Sequence, residues 1–398
     1  MSLPLAGVRV VEIANYVAVP AAGALLADLG AEVVKIESPP RGELYRRSRP
    51  RYAGYACDFD ENPPFQMDNR GKRSLMLDLG RGEAREALLR VIDRSEIVIT
   101  NLLPARRKKY GVDHETLLAR SPRLIVGAVN GYGGEGAEAD RPAFDYAAYW
   151  ARTGMMDVMH DEGVAPSLQR PAVGDHAAAV NLVCGILAAM RLRDTDGRGR
   201  YVEVSLLQTG LHILGTDIAN ALVTRAPAKR HDRKAPPNPL WNSYPTRDGR
   251  WLLLVMIDPE PYWGKLCRAI GRPELESDER FADGFRRVAN TAALVAELEA
   301  VFGARTLAEW RSVLDATGII WAPVQRVEEA IEDPQARAMG YLYEIEHATA
   351  GRFETVGPPF RIDGETLGTR RAVSGLHADA RQVLQEAGLS ESEIEKLL

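Results

Sequence analysis

Cysteine is scarce: Cys57, Cys184 and Cys267 are the only three in 398 residues, and no two form a C-x-x-C pair. That spacing excludes a disulfide framework or a zinc-thiolate site and suits a reducing compartment. The patterns G-x-x-x-x-G-K-[ST], G-x-S-x-G and H-E-x-x-H are missing, which removes the simplest nucleotidase, serine hydrolase and zinc protease readings. There is no basic excess either. A net charge of -5 gives no support to nucleic-acid binding, which calls for a basic patch or stripe. The opening "MSLPLAGVRVVEIANY" lacks the basic-then-apolar build of a secretory leader. No run approaches ~20 uninterrupted apolar residues, so no membrane span and a cytoplasmic location are expected.

What is present is an ordinary globular composition, 45% apolar and 26% charged, in a chain long enough for two domains. Apolar β-rich runs alternate with helical patterns. "VRVVEIA", "EVVKIES", "EIVITNL" and "RLIVGAVNGYG" read as strands, with "PAAGALLADLG", "GRGEAREALLRVIDRS" and "HETLLARS" as helices between them. This alternation predicts an α/β fold, a parallel sheet covered by helices in a Rossmann-like layer. After residue 224 the character changes. "RAPAKRHDRKAPPNP", residues 225–239, reads as a linker, and "WNSYPTRDGRWLLLVMI" as a hairpin turning at Asp248-Gly249. The helical stretches that follow suggest a second, smaller α+β domain.

Several short segments carry possible chemistry. "GYGGEG", residues 131–136, matches G-x-G-x-x-G after a strand, but the charged, proline-containing "AEADRPAFD" after it does not open a helix. In a chain with 35 glycines a chance match explains it better, with a loop over an active site as the alternative. The basic "NLLPARRKKYG", residues 101–111, follows a strand and so lies at the carboxyl edge of the sheet, where ligands of parallel sheets sit. "MDNRGKRSLMLDL" adds Lys72 and Arg73 in a similar position. Both clusters can hold the phosphates of a polyanionic small molecule, or simply form solvated helix faces. Finally, "AVGDHAAAVNLVCGILAAM" places Asp175 after a glycine and before a long apolar stretch, where it can cap a helix or react.

Together, "LPLAGVRVVEIANYVAVPAAGALLADLGAEVVKIESPPRGELYR", "NRGKRSLMLDL", "NLLPARRKKYGVD", "RLIVGAVNGYG", "VGDHAAAVNLVCGILAAMRLRDTDGRGRYVEVSL" and "GLHADARQVLQEAGL" make the chain resemble the class III coenzyme A transferases along its whole length. That family includes formyl-CoA, carnitine and bile-acid CoA-transferases. The resemblance implies a large Rossmann-like domain from residues 1–224 and 329–398, a small domain from 240–328, and ring-shaped subunits interlocked as a homodimer. It implies acyl-CoA and a carboxylic acid as substrates, with no tightly bound cofactor, no metal and no nucleic-acid or membrane partner.

The resemblance further implies that Asp175 is a nucleophile that attacks an acyl-CoA thioester, passes through a mixed anhydride and carries CoA as an aspartyl thioester. It implies coenzyme A contacts at Val17, Ala18, Leu75, Asn101, Leu102 and Lys109, with Asn130 near the thioester. Formyl-CoA transferases have an arginine where this chain has Ser38, so either Arg41 substitutes or that phosphate contact is lost. Their glycine-rich lid has no counterpart around residues 237–244, which argues against oxalate and formate. The α-methylacyl-CoA racemases share the aspartate but add a histidine after the "NGYG" segment; here Phe144 stands in that place, before Asp145, and a second proton-transfer group is missing. A transferase is therefore expected, with a racemase or a non-catalytic CoA-binding protein as alternatives. His176 beside Asp175 either orients it or is a plain helix-surface residue. Phe65, Phe144, Tyr146, Tyr149, Trp150, Met155 and Trp241 favour an acyl group larger than formyl, unless they only fill the core.

Overall fold

The computed structural model describes residues 3–48, 61–161 and 163–398; Cys57 lies outside them. The chain divides into two compact units, one from Met1–Asp157, Ser167–Pro227 and Pro334–Leu398, the other from Val158–Pro166 and Ala228–Asp333.

Short runs of Val and Ile, such as "IVIT" and "IVGAVN", suit strands buried on both faces, and in the first unit they build a six-stranded parallel sheet. Its strands are β1 (Arg9–Ile13), β2 (Glu32–Glu37), β3 (Arg73–Met76), β4 (Ile97–Thr100), β5 (Ile125–Asn130) and β6 (Arg200–Ser205), in the order β3-β2-β1-β4-β5-β6. The order reverses between β1 and β4, where Ile13 pairs with Thr100, so a crevice opens beyond the carboxyl ends of these two strands. One face of the sheet is covered by the wholly buried helix Ala18–Asp28 and by the long helix Val173–Asp196. The other is covered by Gly82–Ile92 and by Ala380–Glu386, whose Val383 and Leu384 pack near Leu88 and Val91. The last 65 residues of the chain thus return to the first unit, where they also form the hairpin Leu342–His347 and Gly351–Val356.

The helix Ala18–Asp28 lies on a group of buried charges. Lys35 Nζ is 2.8 Å from both Glu12 Oε1 and Glu43 Oε1, and Lys72 Nζ is 2.7 Å from Glu12 Oε2. A Cβ at Gly23 would sit 2.1 Å from Glu12 Oε2, so the helix approaches these charges only because residue 23 has no side chain.

In the second unit, Trp241–Pro245, Trp251–Val255 and Trp321–Pro323 form a three-stranded antiparallel sheet. Gly249, with φ 71°, takes the left-handed position in the turn of its hairpin. Helices Glu260–Ala269, Thr291–Phe302 and Leu307–Leu314 close a separate core around Trp263, Phe302 and Trp310. Among the described residues, one helix is long and apolar enough to cross a membrane, Val173–Asp196; its Ala178, Leu182 and Ile186 are buried in the core of the first unit.

Candidate active site

The helix Val173–Asp196 begins after Ala172, which takes φ 65° and provides no side-chain cap. Asp175 is the third helical residue rather than the cap, and its carboxylate accepts no hydrogen bond from the described residues. A Cβ at Gly174 would meet Tyr149 Cγ at 2.5 Å; glycine lets the segment around Tyr149 press against the helix start. From the same segment, the buried Asp145 accepts the Gly174 N–H at 3.2 Å. On the other side Asp68, buried on the helix Pro63–Asn69, pairs its Oδ1 with His176 Nε2 at 3.0 Å.

Two buried carboxylates therefore flank a third. Burial first, then the negative charges of Asp145 and Asp68, push the Asp175 carboxyl up to about 7, while His176 pulls the other way. Burial also pushes Asp145 up, opposed by the Gly174 N–H. For His176, burial acts downward but is outweighed by the bond to Asp68 and by the surrounding carboxylates, so the imidazole holds its proton above the usual range. Sequence reading assigned no role to Asp68, because 108 residues separate it from His176.

At the crevice, the Asn101 side chain ties the ends of β1 and β4 together. It accepts the Asn15 N–H at 3.1 Å and donates Nδ2 to the Asn15 carbonyl at 2.7 Å. A cleft here is lined by Asn15, Glu37, Ser38, Asp78, Leu102 and Arg106 among others. Val17 and Ala18 stand at the adjoining start of the helix Ala18–Asp28.

The model of CoA-transferase family III matches residues 5–378. The chain belongs to this family. It is similar to a cinnamoyl-CoA:phenyllactate CoA-transferase of Clostridium sporogenes, with 31% identity over 98% of this chain and 95% of that one. It is likewise 31% identical to an (R)-2-hydroxy-4-methylpentanoate CoA-transferase of Clostridioides difficile, over 98% and 97% of the two chains. Among solved structures, a CaiB/BaiF family protein of Brucella suis superposes with a TM-score of 0.85 at 28% identity, over 97% of this chain and all of that one. The protein is a CoA-transferase, and CoA thioesters are the substrates of its family.

In this transferase the basic segment after β4 is divided by the helix Pro104–Tyr110. Arg106 reaches the cleft, Lys109 lies exposed beside the Tyr110 ring, and Arg107 turns inward. Arg107 donates to Asn130 Oδ1 at 3.1 Å and to the Tyr201 hydroxyl at 3.0 Å. An arginine can only donate, so the Asn130 amide is fixed with its buried Nδ2 unpartnered at the carboxyl end of β5. Arg41 is exposed beyond the end of β2.

Three expectations need correction. Lys72 and Arg73 precede and open β3, with Arg73 in register with Val34 inside β2, so neither follows a strand into the crevice. Lys72 is wholly buried, its ammonium held by Glu12, the carbonyls of Pro20 and Asp68, and Asn69 Oδ1, which leaves no donor for a phosphate. Arg73 is bound to Glu386 at 2.8 Å. Leu75 is fully buried inside the sheet and offers the crevice no side chain. Of the aromatic and Met residues, Tyr149, Trp150 and Met155 fill the core, Trp241 belongs to the second unit, and Phe144 is exposed.

Proposed function

We propose that this transferase moves CoA from an acyl-CoA donor to a carboxylic acid acceptor through a thioester on Asp175. A carboxylate oxygen of Asp175 attacks the donor's thioester carbonyl, the C–S bond breaks, and CoA leaves as thiolate from a mixed anhydride. The thiolate then attacks the aspartyl carbonyl and expels the donor acid. An acceptor carboxylate attacks this aspartyl thioester, CoA leaves again, and its attack on the acceptor's carbonyl releases the new acyl-CoA and restores Asp175. No redox partner is needed.

The observation that carries the reading is the state of Asp175: a partly buried carboxylate without a hydrogen-bond partner among the described residues, between two other carboxylates and pushed up to about 7. Its charge is poorly stabilised, which favours nucleophilic attack, and acylation removes its repulsion with Asp68 and Asp145. The positive end of the helix, where Asp145 takes the Gly174 N–H, is suited to the developing oxyanions. Coenzyme A is assigned to the crevice, with Val17, Ala18, Asn101, Leu102 and Lys109 along it, Arg41 at its rim and Asn130 toward the thioester. The C. sporogenes relative is named for a thioester and a carboxylic acid, which supports the same donor and acceptor classes here.

A homodimer is part of the proposal. Val180, Cys184, Leu187 and Arg191 form an exposed stripe on the helix Val173–Asp196, and Ile213, Leu222 and Val223 are exposed on the helices that follow, an apolar surface suited to a second copy. The free Cys184 and Cys267 support a cytoplasmic location. The test is kinetic. Ping-pong behaviour toward donor and acceptor, with CoA transfer reduced by roughly four orders of magnitude or more in Asp175→Ala, is expected. Normal turnover by that variant removes Asp175 from the mechanism.

A further inference from the structure

Four aromatic rings form a row in the unit that carries Asp175. The Phe144 ring meets Tyr16 edge-on, centroids 5.2 Å apart at 88°; Tyr16 lies 6.3 Å from Tyr45, and Tyr45 6.2 Å from Phe65. Both ends of the row are tied to the carboxylates that flank Asp175. Phe144 precedes Asp145, which holds the Gly174 N–H, and Phe65 shares the helix Pro63–Asn69 with Asp68, which holds His176.

The two rings at the Asp145 end face solvent: Phe144 is 57% and Tyr16 37% exposed, while Phe65 is fully buried behind them. Tyr16 is also held in an unusual backbone state. Its φ of 63° lies in the left-handed region, which costs energy for a tyrosine. Glu43 Oε2 accepts its N–H at 2.7 Å, and Glu43 is itself anchored by the buried Lys35. The core thus imposes the conformation that brings the Tyr16 ring against Phe144. Large apolar side chains left exposed, one of them next in sequence to a carboxylate that flanks Asp175, with strained backbone beneath, mark a ligand surface.

The charges nearby point to the kind of ligand. Asp68 and Asp145 repel a second carboxylate brought up to Asp175. Arg46, stacked over Phe65 at 4.7 Å, is already bound to Glu37 at 2.7 Å, and His176 is bound to Asp68.

We infer that Tyr16 and Phe144 form the wall that receives the acyl group, and that this wall selects acids bearing an aromatic or bulky apolar group over small dicarboxylic acids. The inference rests on the reading of Asp175 as the nucleophile. Aromatic acyl groups gain edge-to-face contact and lose water on this wall; a succinyl group gains neither and meets like charge.

The test is to mix the enzyme with phenylpropanoyl-CoA or succinyl-CoA without acceptor, measure the rate of adduct formation at Asp175 by peptide mass after hydroxylamine, and compare turnover with a common acceptor. Wild type is expected to prefer phenylpropanoyl-CoA at least about tenfold. Phe144→Ala and Tyr16→Gly are each expected to cut the preference to about threefold or less. Phe144 is exposed and glycine tolerates the φ of residue 16, so both variants are expected to fold. Equal adduct formation from both donors in wild type, or an unchanged preference in both variants, overturns the wall and leaves the nucleophile standing. A phenylpropanoyl preference in turnover with no adduct at Asp175 supports the wall and overturns the nucleophile.

Discussion

Asp175 is held where its charge is unfavourable, and the sign of that effect makes two predictions. Attack requires the ionised form, so kcat/KM for the donor is expected to fall as pH drops through about 7 and to level off above it. His176→Gln removes the positive charge that pulls Asp175 down, so the inflection moves to higher pH; a pH-rate profile of the variant checks this. The second prediction concerns stability. The carboxyl titrates near 3.8 when unfolded and about 7 when folded, so the unfolded chain ionises first and folding stability is lost as pH rises between those values. Asp175→Asn is free of that loss. It is expected to be more stable than wild type by roughly 1–3 kcal/mol near pH 8 and equal to it near pH 4, allowing for partial exposure. Thermal unfolding at the two pH values measures the difference.

Among the elements, β3 shows what local sequence does and does not carry. The alternation of strand and helix patterns made the parallel sheet legible, because each buried strand is a short Val and Ile run. Lys72 and Arg73 were misread because a basic pair beside a strand looks the same whether it opens the strand or follows it, and because Glu12 and Pro20, which help to bury Lys72, come from distant segments. Lys72→Met tests the corrected role. Removing one partner of a buried charge group is expected to destabilise the fold by about 3–5 kcal/mol, read by denaturant unfolding, without the selective loss of coenzyme affinity that a phosphate ligand would show. The hairpin Leu342–His347 and Gly351–Val356 went unread although Tyr343 and Ile345 alternate with exposed neighbours; the run is short and half polar. At the candidate site, the glycine and the apolar helix singled out Asp175 without deciding between a cap and a reactive group, and the role proposed for it came from the resemblance along the whole chain. Asp68 was not, because only folding brings it to His176.

For the whole molecule, the exposed apolar stripe around Val180 and Leu187 predicts a stable dimer. Sedimentation velocity at nanomolar concentration is expected to give a single species of twice the chain mass; a monomer counts against that part of the proposal. The central claim, that CoA passes through a covalent bond to Asp175, has a more direct test in the fate of oxygen. In each full cycle Asp175 gives one carboxylate oxygen to the departing donor acid and takes one from the acceptor. After many turnovers with an acceptor acid labelled in its carboxylate with heavy oxygen, the label is expected in the peptide that contains Asp175 and in no other. Normal formation of the new acyl-CoA with no label at Asp175 contradicts the covalent route.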